Sequence, residues 1–165
     1  MKKLVFCVAV LAITTLSANA QKESSSSDGF KIGAGATVGL PLGTIKSYTS
    51  FVFGVDLQGE YPAAESVGIT VSAGYLNFSG KSGAGSTGSI PVLAGAKIKF
   101  AEKVYGHAQL GMSFSTQSGG GSAFTYAPSI GYQAAENVDV SVRYQAATKS
   151  GSTNSFIGLR VGFTF

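Results

Sequence analysis

The sequence predicts an all-β protein, an eight-stranded antiparallel up-and-down transmembrane barrel whose outer wall faces lipid. Three observations predict it. Apolar residues recur at every second position in eight separate stretches, the strand period, and no stretch after residue 20 has a helical period. The charges in those stretches lie opposite the large apolar side chains. The connections alternate between short turns and longer segments rich in Gly, Ser and Thr.

Composition agrees with that reading. Of 165 residues, 44% are hydrophobic and 12% charged, about half the charge of an ordinary soluble domain. Such a balance argues against a cytosolic enzyme. The 23 glycines would suit disorder, but 11 Phe and 7 Tyr accompany them, and disordered chains lack aromatics.

The first element is a targeting segment. Met1-Lys2-Lys3 is basic, Leu4 to Leu16 is apolar apart from Thr14 and Thr15, and Ser17-Ala18-Asn19-Ala20 ends in a small-x-small cleavage pattern. Residues 1–20 are thus expected to be a signal peptide, since the apolar run is shorter than the roughly 20 residues of a membrane helix. Cys7 leaves with it, so no thiol or disulfide is expected in the product. Loss of Lys2 and Lys3 leaves 10 basic and 8 acidic residues. Without a basic run carrying interleaved aromatics, nucleic acid is not an expected partner. Residues 21–29 (QKESSSSDG) read as a flexible spacer, and the barrel domain as 30–165.

The strands follow in order. Phe30, Ile32, Ala34, Ala36, Val38 and Leu40 form the first apolar face; Phe51, Phe53, Val55, Leu57 and Tyr61 the second; Val67, Ile69, Val71, Ala73 and Tyr75 the third. Ile90, Val92, Ala94, Ala96, Ile98 and Phe100 give the fourth, and Val104, Ala108, Leu110, Met112 and Phe114 the fifth. Phe124, Tyr126, Pro128, Ile130 and Tyr132 give the sixth, Val138, Val140, Val142 and Tyr144 the seventh, and Ile157, Leu159, Val161, Phe163 and Phe165 the eighth. Pro91 and Pro128 each remove a ladder donor; Pro91 lies near a strand start and Pro128 would mark a bulge. Short turns of related sequence, such as Tyr61-Pro-Ala-Ala-Glu65-Ser-Val67 and Tyr132-Gln-Ala-Ala-Glu136-Asn-Val138, follow strands two and six. Phe100-Ala-Glu102-Lys-Val104 follows strand four. Looser loops are expected over 77–88, 115–123 and 147–155.

The polar face decides between a soluble sandwich and a membrane barrel. In a sandwich it would meet water and carry many Lys and Glu. Here it carries eight charges and eleven glycines, Gly33, Gly35, Gly39, Gly54, Gly68, Gly74, Gly95, Gly111, Gly131, Gly158 and Gly162. Glycine weakens a strand unless something packs close against it, as in the narrow interior of a small closed barrel. The apolar face is uncharged and edged with aromatics, as a lipid-facing wall requires. Closure also pairs every backbone N–H and C=O, which hydrocarbon demands.

From Phe30 to Phe165 the chain resembles the small eight-stranded outer membrane β-barrel proteins of Gram-negative bacteria, and is similar to the transmembrane domain of outer membrane protein A. The serine-rich start before Gly29-Phe-Lys-Ile-Gly-Ala-Gly35 looks like barrel proteins common in Bacteroidota. Its most specific element is the end, Leu159-Arg-Val161-Gly-Phe163-Thr-Phe165. This looks like the family's C-terminal barrel-assembly signal. The resemblance implies residence in the outer membrane, with short turns in the periplasm and loops outside. It implies outer membrane lipid as partner, and periplasmic chaperones and the barrel assembly machinery during biogenesis.

Three candidate sites remain. Lys31, Glu60, Lys97, Lys99 and Asp139 are expected near the periplasmic ends of the lumen, with Asp56, Arg143 and Arg160 further in and His107 also inward. Buried charges must pair or keep water. The network therefore either plugs the barrel or, if Arg143 or Arg160 changes partners, gates it. The lipid A deacylase, another small outer membrane barrel, uses a His and a Ser two residues later. Here Ala108-Gln109 follow His107, so no catalysis is expected, and no motif implies a cofactor or metal. The loops could hold an extracellular ligand, but they lack the aromatic and arginine anchors usual at binding hot spots. Tyr48, Phe51, Tyr75, Phe78, Phe114, Phe124 and Tyr144 read as an interfacial girdle. The expected role is structural or surface-interacting with a plugged lumen; the alternative is a small channel or gated transporter.

Overall fold

The computed structural model describes residues 29–81 and 85–165. The expected signal peptide with Cys7, and all of the spacer except Gly29, lie outside the described residues. Eight strands run in chain order: β1 (Lys31–Leu42), β2 (Thr49–Ala64), β3 (Val67–Gly80), β4 (Thr87–Lys99), β5 (Val104–Ser115), β6 (Ser122–Ala135), β7 (Val138–Lys149) and β8 (Ser152–Thr164). Each pairs antiparallel with its neighbour. β1 also pairs with β8, from Gly33 opposite Thr164 to Leu42 opposite Ser155, closing the barrel.

The period-two alternation places side chains as the physics of an inverted barrel requires. Val55, Leu57, Ile69, Val71, Leu110 and Ile130 are each more than half exposed on the outer wall. The alternate positions point inward, where Thr70, Gln109, Thr125, Ser141 and Arg160 are buried. On that outer wall two glycines lie under aromatic rings: Phe30 covers Gly59 and Phe100 covers Gly106.

At the turn end the related sequences take related conformations. The ladder shifts register between Pro62 and Ala64 and again between Gln133 and Ala135, so each Pro/Gln-Ala-Ala segment makes the same irregularity before its Glu. The turns are knitted sideways by backbone bonds from Lys99, Gln133 and Thr164 to the carbonyls of Ser66, Lys103 and Asn137. Phe165 donates to the Ile32 carbonyl, which ties the last residue into the wall.

Four features differ from the expected pattern, three of them at the loop end. The strands are 12 to 16 residues long, because backbone pairing continues past the apolar alternation into Gly/Ser/Thr segments. A 3-10 helix, Gly43–Ser47, joins β1 to β2 and buries Ile45. The expected loop over 147–155 is instead a tight hairpin at Ser150-Gly151, whose φ values of 49° and 81° suit a two-residue turn with both central residues left-handed. Pro128 makes no bulge. The ladder beside it lacks the two pairs between Tyr126–Ala146 and Ser129–Arg143, yet the register on both sides is the same, so the missing donor only opens a local gap.

Candidate functional site

The barrel interior collects the polar chemistry of the chain, and it is layered along the axis. At the turn-end rim Lys31 and Lys99 are exposed. Just inside, the Lys97 ammonium meets a Glu60 carboxylate oxygen at 2.6 Å and lies 4.6 Å from the centre of the Tyr105 ring. Deeper, the Arg160 guanidinium donates to both Asp56 carboxylate oxygens, from Nε at 3.0 and 3.2 Å and from Nη2 at 2.7 Å. Its Nη1 lies 3.6 Å from Asp139 Oδ1, which also accepts a 2.5 Å bond from the Tyr105 hydroxyl. Asp56, Arg160, Asp139 and Tyr105 thus form one network drawn from β2, β8, β7 and β5.

Glycines make this network fit. Arg160 projects from β8, crosses β1 above Gly35, and reaches β2, where Asp56 is the cross-strand partner of Gly35. Gly131 faces the Tyr105 ring, Gly162 faces Asp139 and Arg160, and Gly68 faces Glu60. A side chain at any of these positions would occupy the space of the charged or phenolic group.

Above the network lie hydrogen-bonded polar pairs. His107 Nε2 and Thr70 Oγ1 are 2.7 Å apart, Gln109 Nε2 donates to Ser72 Oγ at 2.8 Å, and Thr125 Oγ1 donates to Ser113 Oγ at 2.7 Å. His107 and Thr70 are both buried. Arg143 is also buried, and among the described residues its Nε has no hydrogen-bond partner. Among the described residues no group of three or more His, Cys, Asp or Glu is placed to hold a metal ion.

The lumen also has an apolar part that the sequence pattern did not mark. Val52, Leu76 and Phe156 are buried in one cluster, with Phe78 packed against it, its ring edge-on to Phe156 at 6.1 Å. Leu93 is buried as well. Phe78 therefore belongs to the interior and not to the interfacial girdle, because Tyr75 points outward and Phe78 has the opposite parity. Of the other girdle aromatics, Phe51, Tyr75, Phe114 and Phe124 are exposed on the wall and Tyr144 is half-buried, whereas Tyr48, in the β1–β2 connection, lines the loop-end cavity. The same parity would have found the cluster: Val52 lies between outward Phe51 and Phe53, and Phe156 precedes outward Ile157.

The cluster sits between two sets of cavities. A loop-end cavity of about 410 Å³ is lined by Phe78, Ser89, Ser115, Lys149 and Asn154, among others. Turn-end cavities are lined by Lys31, Glu60, Lys97 and neighbouring residues. The two sets share no lining residue. The C-terminal residues Leu159, Val161, Phe163 and Phe165 all face outward on the wall, with the rings of Phe163 and Phe165 5.4 Å apart.

A family model of the outer membrane protein beta-barrel domain matches residues 8–165. The chain belongs to this family. This outer membrane barrel is similar in fold to the crystal structure of Ail, the attachment invasion locus protein of Yersinia pestis, at TM-score 0.59 and 16% identity over 82% of this chain and 97% of Ail. It is similar to the N-terminal β-barrel domain of Pseudomonas aeruginosa OprF at TM-score 0.57 and 13% identity, over 82% of this chain and 97% of that one. A de novo designed transmembrane β-barrel matches at TM-score 0.56 and 14% identity, over 87% of this chain and all 100% of the design. At such identities the likeness is one of fold. Compared by sequence with curated proteins, the outer membrane barrel matches none.

Proposed function

We propose that this outer membrane barrel is a closed wall element of the cell envelope, with a structural or surface-interaction role and a lumen plugged by its own side chains. The observation that carries the reading is the stacking of two barriers along one narrow axis. The Asp56–Arg160–Asp139 network crosses the lumen below the turn-end cavities, and the Val52–Leu76–Phe156 cluster lies between it and the loop-end mouth. An ion moving along the axis would have to displace paired charges and then shed its water beside apolar side chains, and an isolated charge in such surroundings is very costly. An eight-stranded barrel is only wide enough for its side chains. In this reading the short turns face the periplasm and the loops the exterior. The outward Leu159, Val161, Phe163 and Phe165 are the segment that periplasmic chaperones and the assembly machinery engage, and outer membrane lipid is the permanent partner. No catalytic role is assigned to the His107–Thr70 pair.

One observation favours the gated-transport alternative: among the described residues the buried Arg143 guanidinium has an Nε without a hydrogen-bond partner, while Arg160 serves two carboxylates. A flux assay separates the readings. Refolded barrel in lipid vesicles loaded with a potassium-sensitive dye is expected to leak no faster than empty vesicles, in the wild type and in Arg143→Gln alike. Fast leakage in the wild type that Arg143→Gln abolishes would support the gate and overturn the plug.

A further inference from the structure

The charges of the two barrel ends are unlike. Each of the three turn-end connections contains a glutamate, Glu65, Glu102 or Glu136, whereas no Asp or Glu occurs anywhere between residues 29 and 55, 66 and 101, 103 and 135, or 140 and 165. Every loop-end connection lies in those intervals. Lys46, Lys81 and Lys149 stand there without a carboxylate to neutralise them, so the mouth carries a positive field. Lys46 and Lys81 are locked together by an Nζ–carbonyl bond of 2.7 Å, and the Lys149 ammonium is held on the Gly120 carbonyl. Each ammonium keeps donors free, since it has three.

Inside that mouth lies the cavity of about 410 Å³, within the usual size range of small-molecule sites. Its lining has three kinds of group. Hydroxyl and amide side chains converge from different strands, Ser89, Ser115, Ser122 and Asn154 among them. Lys149 supplies the cation. Tyr48 and Phe78 supply ring faces, and Phe78 with buried Ile45 makes an apolar floor. Hydroxyl-rich walls match a ligand that is itself rich in hydroxyls, a ring face suits the C–H face of a sugar, and an ammonium without a competing carboxylate selects a negative charge. A metal cation or an amine would meet repulsion and no anionic partner.

We propose that the loop-end mouth is a binding pocket for an acidic sugar, a mono- or disaccharide bearing a carboxylate or phosphate, with Lys149 as the group that reads its charge. The inference rests on the closed-lumen reading, because a pocket with a floor retains a ligand that a pore would pass. It gives the surface-interaction role a chemical class of ligand: the acidic sugar units exposed at an envelope surface.

The test is titration of the full refolded barrel in detergent micelles with glucuronate, glucose 6-phosphate, glucose and glucosamine, followed by calorimetry or NMR. Glucuronate and glucose 6-phosphate are expected to bind saturably, and Lys149→Gln to weaken them about tenfold, the worth of one charge-assisted hydrogen bond. The variant sits at an exposed strand end, and its folding is checked by heat-modifiable gel mobility. Equal binding of glucosamine or glucose, no effect of Lys149→Gln, or no saturable binding up to about 10 mM, a free energy below about 3 kcal/mol, would overturn the proposal. Bilayer recordings on the same sample keep the two readings apart. Absent sugar binding with silent recordings overturns the pocket and leaves the closed lumen standing; steady openings overturn both, because the pocket then has no floor.

Discussion

The guanidinium of Arg160 occupies the space that a side chain at residue 35 would need: an ideal Cβ on Gly35 would lie 2.6 Å from Arg160 Nε. Arg160 pairs across the ladder with Thr37 on β1, yet its carboxylate partner Asp56 is one strand further, on β2. The bare backbone at Gly35 is what lets the arginine cross. Glycine, which lowers strand stability by itself, here permits the ion pair that fills the lumen.

Gly35→Ala should therefore cost about 1 to 3 kcal/mol, the usual range for overpacking. Gly29→Ala, where a Cβ would meet nothing within 4 Å, should leave stability unchanged. Urea unfolding of both variants in lipid vesicles checks this. Equal midpoints for the two would show that residue 35 has room to spare.

The two carboxylates on Arg160 should differ in weight. Asp56 accepts from two guanidinium nitrogens, whereas Asp139 stands 3.6 Å from Nη1 and also accepts from Tyr105. Asp56→Asn leaves a buried cation short of its main partner and should cost about 3 to 5 kcal/mol. Asp139→Asn should cost less. The Lys97–Glu60 pair, with side chains 12% and 19% exposed, should show a coupling of about 1 kcal/mol or less in a double-mutant cycle.

On the outer wall the expectation depends on depth. Val55→Lys near mid-wall should destabilise the barrel by about 2 to 4 kcal/mol, and Ile98→Lys near the turn end by about 0 to 1. Refolding yield and unfolding midpoints in vesicles measure both. A soluble protein would tolerate the two alike, since Val55 is 62% and Ile98 43% exposed.

Alternation made the eight strands, their order and the face of each charge legible, because in a membrane barrel one face must be apolar and the other has to hold whatever is polar. The register shifts at Pro62 and Gln133 have no such pattern. Which of the carboxylates Asp56, Glu60 and Asp139 each lumen arginine meets was not legible. Arg160 and Asp56 are 104 residues apart in sequence, and only the stagger of a closed sheet brings them level. The inward Val52, Leu76, Leu93 and Phe156 were hidden for a different reason: a strand phase chosen from its large apolar residues assigns apolar character outward by construction. The loop-side strand ends were hidden because Gly, Ser and Thr mark no face. Ser150-Gly151 did carry a turn signal, but it was masked by the Ser and Thr around it.

Removing the apolar barrier should have two effects together. Phe156→Ala empties a site that is 2% exposed and should cost about 3 to 5 kcal/mol. It should also let water reach the charged network, which hydrogen exchange at the buried amides of β8 would detect. Loss of stability without faster exchange would mean that the cluster packs the wall but does not seal it.

The closed lumen is tested most directly by single-channel recording of the refolded barrel in planar bilayers, with wild type, Arg160→Ala, the double variant Val52→Ala/Phe156→Ala and the triple variant that combines them side by side. A silent wild type is expected, with openings only when both barriers are weakened. Steady large openings in the wild type would contradict it.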